Sequence, residues 1–325
     1  MFVLTGDSNS NEINLYALDQ QTGNTVWGPV LVPRGSYWWA AAAYDNGTIF
    51  VTPDGSQPFG NGAMYAYSAS TGQLLWSATL SGQYLFSSPP AALNGFVYTV
   101  GAGGGGTVYA VDEQTGNTVW TASVANGDNS SPALTASGVF VSYVCPQVYR
   151  FNSSNGTTTW HYSPGCDGGG GNTPVLFGNL LYVRDSILIP NYNGIIFNAT
   201  TGNTRGYFNG DFSPTFWQRT SYIIHNNQLT AFDVKTGARK WKASPASGDS
   251  YSSAPVAVNG VVYVGTAGGN LLGYNANTGT LVVSMPMGAP ILAYDGGGFS
   301  APQSGLGAAQ GLLVVPASTL VVALQ

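Results

Sequence analysis

Charged side chains make up only 7% of the 325 residues, against about 25% in an ordinary soluble domain. There are nine Lys and Arg and the net charge is −5, so no basic stripe exists to neutralise phosphates and nucleic acid is excluded as an expected partner. The one local basic group, Lys235, Arg239, Lys240 and Lys242, reads as a solvated turn and outer strand. No run of about 18 apolar residues occurs, which argues against a helical membrane span. The opening "MFVLTGDSNS" lacks a basic segment followed by a long apolar one, so it is not a signal peptide. It begins inside what reads as a strand, which points to a processed or trimmed N-terminus. A G-x-S-x-G elbow, a P-loop and an H-E-x-x-H helix are all missing. "GAGGGG" (101–106) matches a dinucleotide-binding pattern by letter. It leads into "TVYAVD" and not into a helix, so no helix N-terminus is there to hold a pyrophosphate, and a flexible loop is the reading.

What the chain has instead is apolar and aromatic. Hydrophobic residues make up 44% and aromatic residues 13%, too many to leave solvated, so disorder is excluded. A phrase recurs: "LYALDQQTGNTVW" (15–27), "VYAVDEQTGNTVW" (108–120) and, more loosely, "LTAFDVKTGARKW" (229–241). Aligned on its glycine, the phrase appears at Gly23, Gly72, Gly116, Gly156, Gly202, Gly237 and Gly279. In five of the seven a tryptophan follows four residues later: Trp27, Trp76, Trp120, Trp160 and Trp241. Gly206 and Val283 stand there in the other two. Between these units lies a second phrase, such as "SSPALTASGVFVSYV" (130–144) and "SAPVAVNGVVYVGT" (253–266).

Each period of roughly 42 residues therefore holds four short alternating strands, here named A to D, and no 3.6-residue helical pattern competes. Four strands repeated every 40–50 residues are the signature of a β-propeller. The repeated phrase is then the C–D hairpin of one blade. Its turn is capped by an Asp or Asn side chain, its Gly takes positive φ, and its Trp fills the space between neighbouring blades. Eight B strands and eight C strands, but only seven A strands, can be counted. The chain starts at a B strand and stops after a C strand. The expectation is all-β: an eight-bladed propeller of four-stranded antiparallel blades, one domain over residues 1–325, with blade one lacking its inner strand and blade eight its outer one. A seven-bladed ring with a merged first and last blade is the alternative.

These phrases resemble the repeats of the quinoprotein-dehydrogenase-like propellers, the PQQ-like repeats, a superfamily that also includes the outer-membrane β-barrel assembly lipoprotein. The resemblance spans nearly the whole chain. It implies the fold strongly and function weakly, because such repeats occur in enzymes and in pure binding scaffolds. The quinone-dependent enzymes of the family carry a disulfide between adjacent cysteines and carboxylate and amide ligands for calcium. This chain has no Cys-Cys pair, only Cys145 and Cys166. Those two follow strands B and D of blade four, which end on the same face, so a disulfide between them is expected. Two free buried thiols are the alternative.

The remaining candidates sit on loops. The A–B and C–D turns are short and uniform, whereas the D–A and B–C connections vary and open on the opposite face, where recognition is expected. Just before the A strands stand Trp38, Trp39, Tyr84, Asp128, Asp167, Asp211, Asp249, Tyr251, Asp295 and Phe299. These should ring the channel mouth, where aromatic faces beside acidic groups suit a sugar or a cation. The competing reading has each Asp capping its own loop. His161 reads as structural, His225 as a weak candidate, and "DSNSNE" (7–12) as an incomplete calcium loop with Glu12 where glycine belongs. Sequons at Asn46, Asn129, Asn152, Asn155 and Asn198 lean toward a secreted or cell-surface glycoprotein. The expected function is a non-catalytic scaffold for protein or glycan, with a place in a homo-oligomeric or extracellular assembly as one form of it, and with no cofactor. The alternative is a sugar or alcohol dehydrogenase using quinone and calcium.

Overall fold

In the computed structural model, the described residues are 1–7, 12–33, 40–53, 60–127, 130–165, 170–184, 191–291 and 305–325. They form thirty strands in eight antiparallel sheets, each ordered as in the sequence: an eight-bladed β-propeller. The seven-bladed alternative is set aside by the eight separate sheets. Blade four shows the plan, with strands A (Ala133–Thr135), B (Gly138–Tyr143), C (Gln147–Asn152) and D (Thr158–Tyr162) paired in order. Six blades have four strands. Blade one has only B (Phe2–Asp7), C (Glu12–Leu18) and D (Thr25–Leu31), and blade eight only A (Gly307–Ala309), B (Leu312–Ala317) and C (Leu320–Leu324).

Burial follows strand position. All six residues of strand B in blade four are buried, because neighbouring blades cover both faces of the sheet. Strand D of the same blade alternates between exposed and half-buried residues, since one face meets solvent. The core is divided into seven clusters, one at each interface between consecutive blades from one–two to seven–eight. Six of them hold seven or more buried residues. The cluster between blades five and six holds three: Tyr182, Phe208 and Ile223.

The repeated phrase works as expected and does one thing more. The seven turn glycines have φ between 70° and 74°, a region in which a Cβ is strained. The turn acid accepts from the two following amides and a hydroxyl: in blade three, Gln114 N, Thr115 N and Thr115 Oγ1 donate to Asp112 Oδ1 at 3.1, 2.8 and 2.8 Å. The hydrogen bond from the Thr115 hydroxyl and the amide bonds beside it hold the Asp112 carboxyl below its usual range. In the five blades that have it, the tryptophan then lies on the turn glycine of the next blade. A Cβ on Gly72, Gly116, Gly156, Gly202 or Gly279 would come within 2.6–2.7 Å of Trp27, Trp76, Trp120, Trp160 or Trp241. Each indole N–H donates to the main-chain carbonyl three residues before that glycine: Ala69, Glu113, Ser153, Ala199 and Ala276, all at 2.9–3.0 Å. Glycine is needed there twice over, for its φ and for the ring above it.

Candidate functional site

The face carrying the D–A and B–C connections holds the predicted rim. Trp38, Trp39, Asp128, Asp167, Asp295 and Phe299 lie outside the described residues, as do Cys166 and the sequon at Asn129. Tyr84, Asp211, Asp249 and Tyr251 are described.

Asp211 precedes strand A of blade six (Thr215–Trp217) and reaches across to the turn that ends strand B (Thr220–His225). His225 Nδ1 lies 3.0 Å from Asp211 Oδ1, and Asn226 N donates to Asp211 Oδ2 at 2.8 Å. The Asp211 main chain is tied down as well: its N–H donates to Ile224 O at 2.7 Å, and its carbonyl accepts from Arg184 at 2.7 Å. Asp249 repeats the device one blade on. Its Oδ1 accepts from Ser250 N and Gly268 N, both at 2.8 Å, and Asn270 Nδ2 donates to Oδ2 at 3.4 Å. Burial opposes ionisation of Asp249, but the bonds it accepts from Thr266, Gly268, Ser250 and Asn270 outweigh that and hold its carboxyl below the usual range. Asn227, next in the blade-six turn, donates to Asp249 O at 2.9 Å and accepts from Tyr251 N at 2.8 Å. The mouth is thus a chain of loop-to-loop contacts in which each described Asp locks its own loop to the neighbouring B–C turn.

The aromatic candidates divide. Tyr251 is 6% exposed, its hydroxyl donates to Tyr274 at 2.8 Å, and burial pushes its phenol far above the usual range. It belongs to the core between blades six and seven, which corrects the expectation of a free aromatic face. Tyr84 is half-buried, with its ring over Gly103, where no side chain would fit. His161, expected to be structural, stacks on Tyr149 with centroids 3.9 Å apart and meets Gln147 Oε1 at 2.7 Å, while burial lowers its pKa. Cys145 is buried, and no described cysteine is free. Arg184, Asn226, Asn227 and Asn270 were missed by sequence reading. The consecutive positive φ values of Asn226 and Asn227, 49° and 58°, mark a tight turn that the Asn-Asn pair signals in hindsight.

Among the described residues, no three His, Cys, Asp or Glu converge to hold a metal ion, and no helix is long and apolar enough to cross a membrane. Asp211 and Asp249 direct their oxygens to the adjoining B–C turns.

The family model described as outer membrane protein assembly factor BamB matches residues 11–243 and again 104–318. The chain belongs to this PQQ-like repeat family. Among solved structures, BamB from Moraxella catarrhalis superposes with a TM-score of 0.66 at 16% identity, covering 99% of this chain and 92% of that one. A computationally designed protein, Ika8, superposes at 0.67 with 14% identity over 99% and 92%. The quinohemoprotein alcohol dehydrogenase from Comamonas testosteroni superposes at 0.66 with 14% identity over 94% of this chain and 68% of its own. No curated protein sequence matches. At these identities the superpositions show the fold alone: a BamB, an enzyme and a designed protein share it.

Proposed function

We propose that this chain is a secreted, non-catalytic propeller that serves as a binding scaffold and contacts a protein or glycan through the face bearing the D–A and B–C connections. The observation that carries this reading is the use made of the acidic residues there. Asp211 and Asp249 hold loops in shape through the backbone N–H groups of Asn226, Ser250 and Gly268, which builds a rigid recognition surface. Membership of a family described by a protein-assembly factor favours a protein partner. Asn46 and Asn155 are exposed in turns, as acceptors of glycan must be, whereas Asn198 is buried and its side-chain oxygen accepts from Thr200 N and Thr201 N at 3.0 and 2.9 Å. We also propose that Cys145 pairs with Cys166, in keeping with an oxidising compartment.

Binding to a glycan array and to candidate protein partners, compared between the native chain and a Trp38→Ala/Trp39→Ala variant, tests the face. Unchanged binding would remove that part of the mouth from the contact. Dye reduction by protein supplied with pyrroloquinoline quinone and calcium would overturn the non-catalytic reading.

Side-by-side assembly is a second reading, favoured by the outer strands. Val26, Leu74, Leu75, Val119, Leu281 and Val282 are all 46–63% exposed on D strands. Few charges surround them to be desolvated on contact. Light scattering over rising concentration tests it, with a constant monomer mass as the contrary result.

A further inference from the structure

The interface between blades five and six lacks the tryptophan seat found at five of the other interfaces, although blade six has the turn glycine that would receive it. Strand D of blade five (Thr204–Phe208) carries Gly206 opposite Ile196, the register position that Trp160 holds opposite Arg150 and Trp120 opposite Ala110. The turn glycine of blade six, Gly237, has the same φ as the rest, 70°, yet a Cβ there would meet nothing within 4 Å; the same is true of Gly206. Val234 stands three residues before Gly237, the place of the carbonyls that accept indole N–H groups elsewhere, and no indole among the described residues reaches it. On the inner side the two blades are held by Phe177 stacked on Phe216, centroids 4.5 Å apart, so they meet there and part further out.

The result is a cavity of about 810 Å³, within the usual range for small-molecule sites. At one end lie Val234 and Gly237, at the middle Ile196, Phe232 and Tyr207, and at the far end His225. Tyr207 is half exposed and stacks with Tyr192, centroids 5.5 Å apart, making an aromatic wall open to solvent. We propose that this cavity binds a small planar aromatic molecule with a ring N–H, of the indole class. Its ring lies over Gly237 and its N–H donates to the Val234 carbonyl. The five occupied interfaces supply the template for ring and donor. The occupant is a free molecule and not a protein's tryptophan, because the space runs on past the turn to the opposite end of strand B, beyond what one side chain fills.

Calorimetric titration of the native chain with indole tests this. Binding is expected, weakened at least about tenfold by Gly206→Trp, which installs the ring in cis at a position whose φ permits any side chain and raises Tm by about 2 °C or more. Thr230→Trp, which fills the cavity from blade six, makes the same comparison if Gly206→Trp does not fold. Benzothiophene, the same shape without the donor, is expected to bind about tenfold more weakly, and so is the tripeptide Gly-Trp-Gly. No binding of indole to the native chain, or equal binding to the filled variants, overturns the site. Equal binding of benzothiophene overturns the role of Val234, and equal or tighter binding of the tripeptide overturns the free small molecule.

Discussion

At the scale of single residues, stability concentrates in side chains that serve two blades at once. Trp120 is 8% exposed, packs on Gly156 and donates to Ser153 O, both in the next blade. Trp120→Ala should cost about 3–5 kcal/mol in chemical denaturation, from lost burial together with an acceptor left without its donor. Glu113 behaves differently. Burial first, then the nearby charge of Asp45, raises its pKa to about 7, and its Oε1 has no hydrogen-bond partner. The folded chain therefore keeps a proton that the unfolded chain releases near its usual pKa of 4.5. Stability from this group is fully present below that value and falls as pH rises toward 7. Glu113→Gln should flatten this decline and add about 1–2 kcal/mol at pH 8, read from denaturation curves across pH. A decline that persists in the variant would assign it to other groups.

At the scale of the element, the C–D hairpin is one local solution used seven times. Its cap (Asp or Asn in six turns, Ser68 in blade two), its Thr (Asn155 in blade four) and its positive-φ Gly are all close in sequence, so the turn was legible from the repeated phrase alone. The seat of the Trp was not, because the glycine it covers lies about 40 residues downstream in another sheet. The two roles of the glycine can be separated. Gly237→Ala incurs only the backbone penalty of about 1–2 kcal/mol, since nothing lies above it. Gly116→Ala incurs that penalty and also drives a methyl into Trp76, so it should be clearly more destabilising in the same assay. Equal losses would mean that the ring moves aside freely.

At the scale of the molecule, two of the eight sheets have three strands among the described residues. Among the described residues, strand C of blade eight, Leu320–Leu324, pairs with strand B on one side and with no strand of its own sheet beyond it. Leu320 and Val321 are 47% and 43% exposed there. Hydrogen exchange should be faster along Leu320–Leu324 than along Gln147–Asn152, which is paired on both sides. Equal protection in dilute solution would show that something covers this edge, a second copy being the simplest candidate. Blades five and six, with the smallest shared core, should be the next to exchange.

Sequence alone determined the strand period and pointed to eight blades with the first and last incomplete, because alternation, turn chemistry and repeat spacing are local properties of the chain; the eight separate sheets decided against a merged seven-bladed ring. It also marked Gly206 as a departure from the Trp pattern. Tertiary structure decided the rest. Only the folding of D–A connections onto neighbouring B–C turns shows that Asp211 and Asp249 act as loop locks. Only the packing of blade six on blade seven buries Tyr251. And only the stacking of blade five against blade six turns one absent tryptophan into a cavity, since space between sheets belongs to no single stretch of sequence.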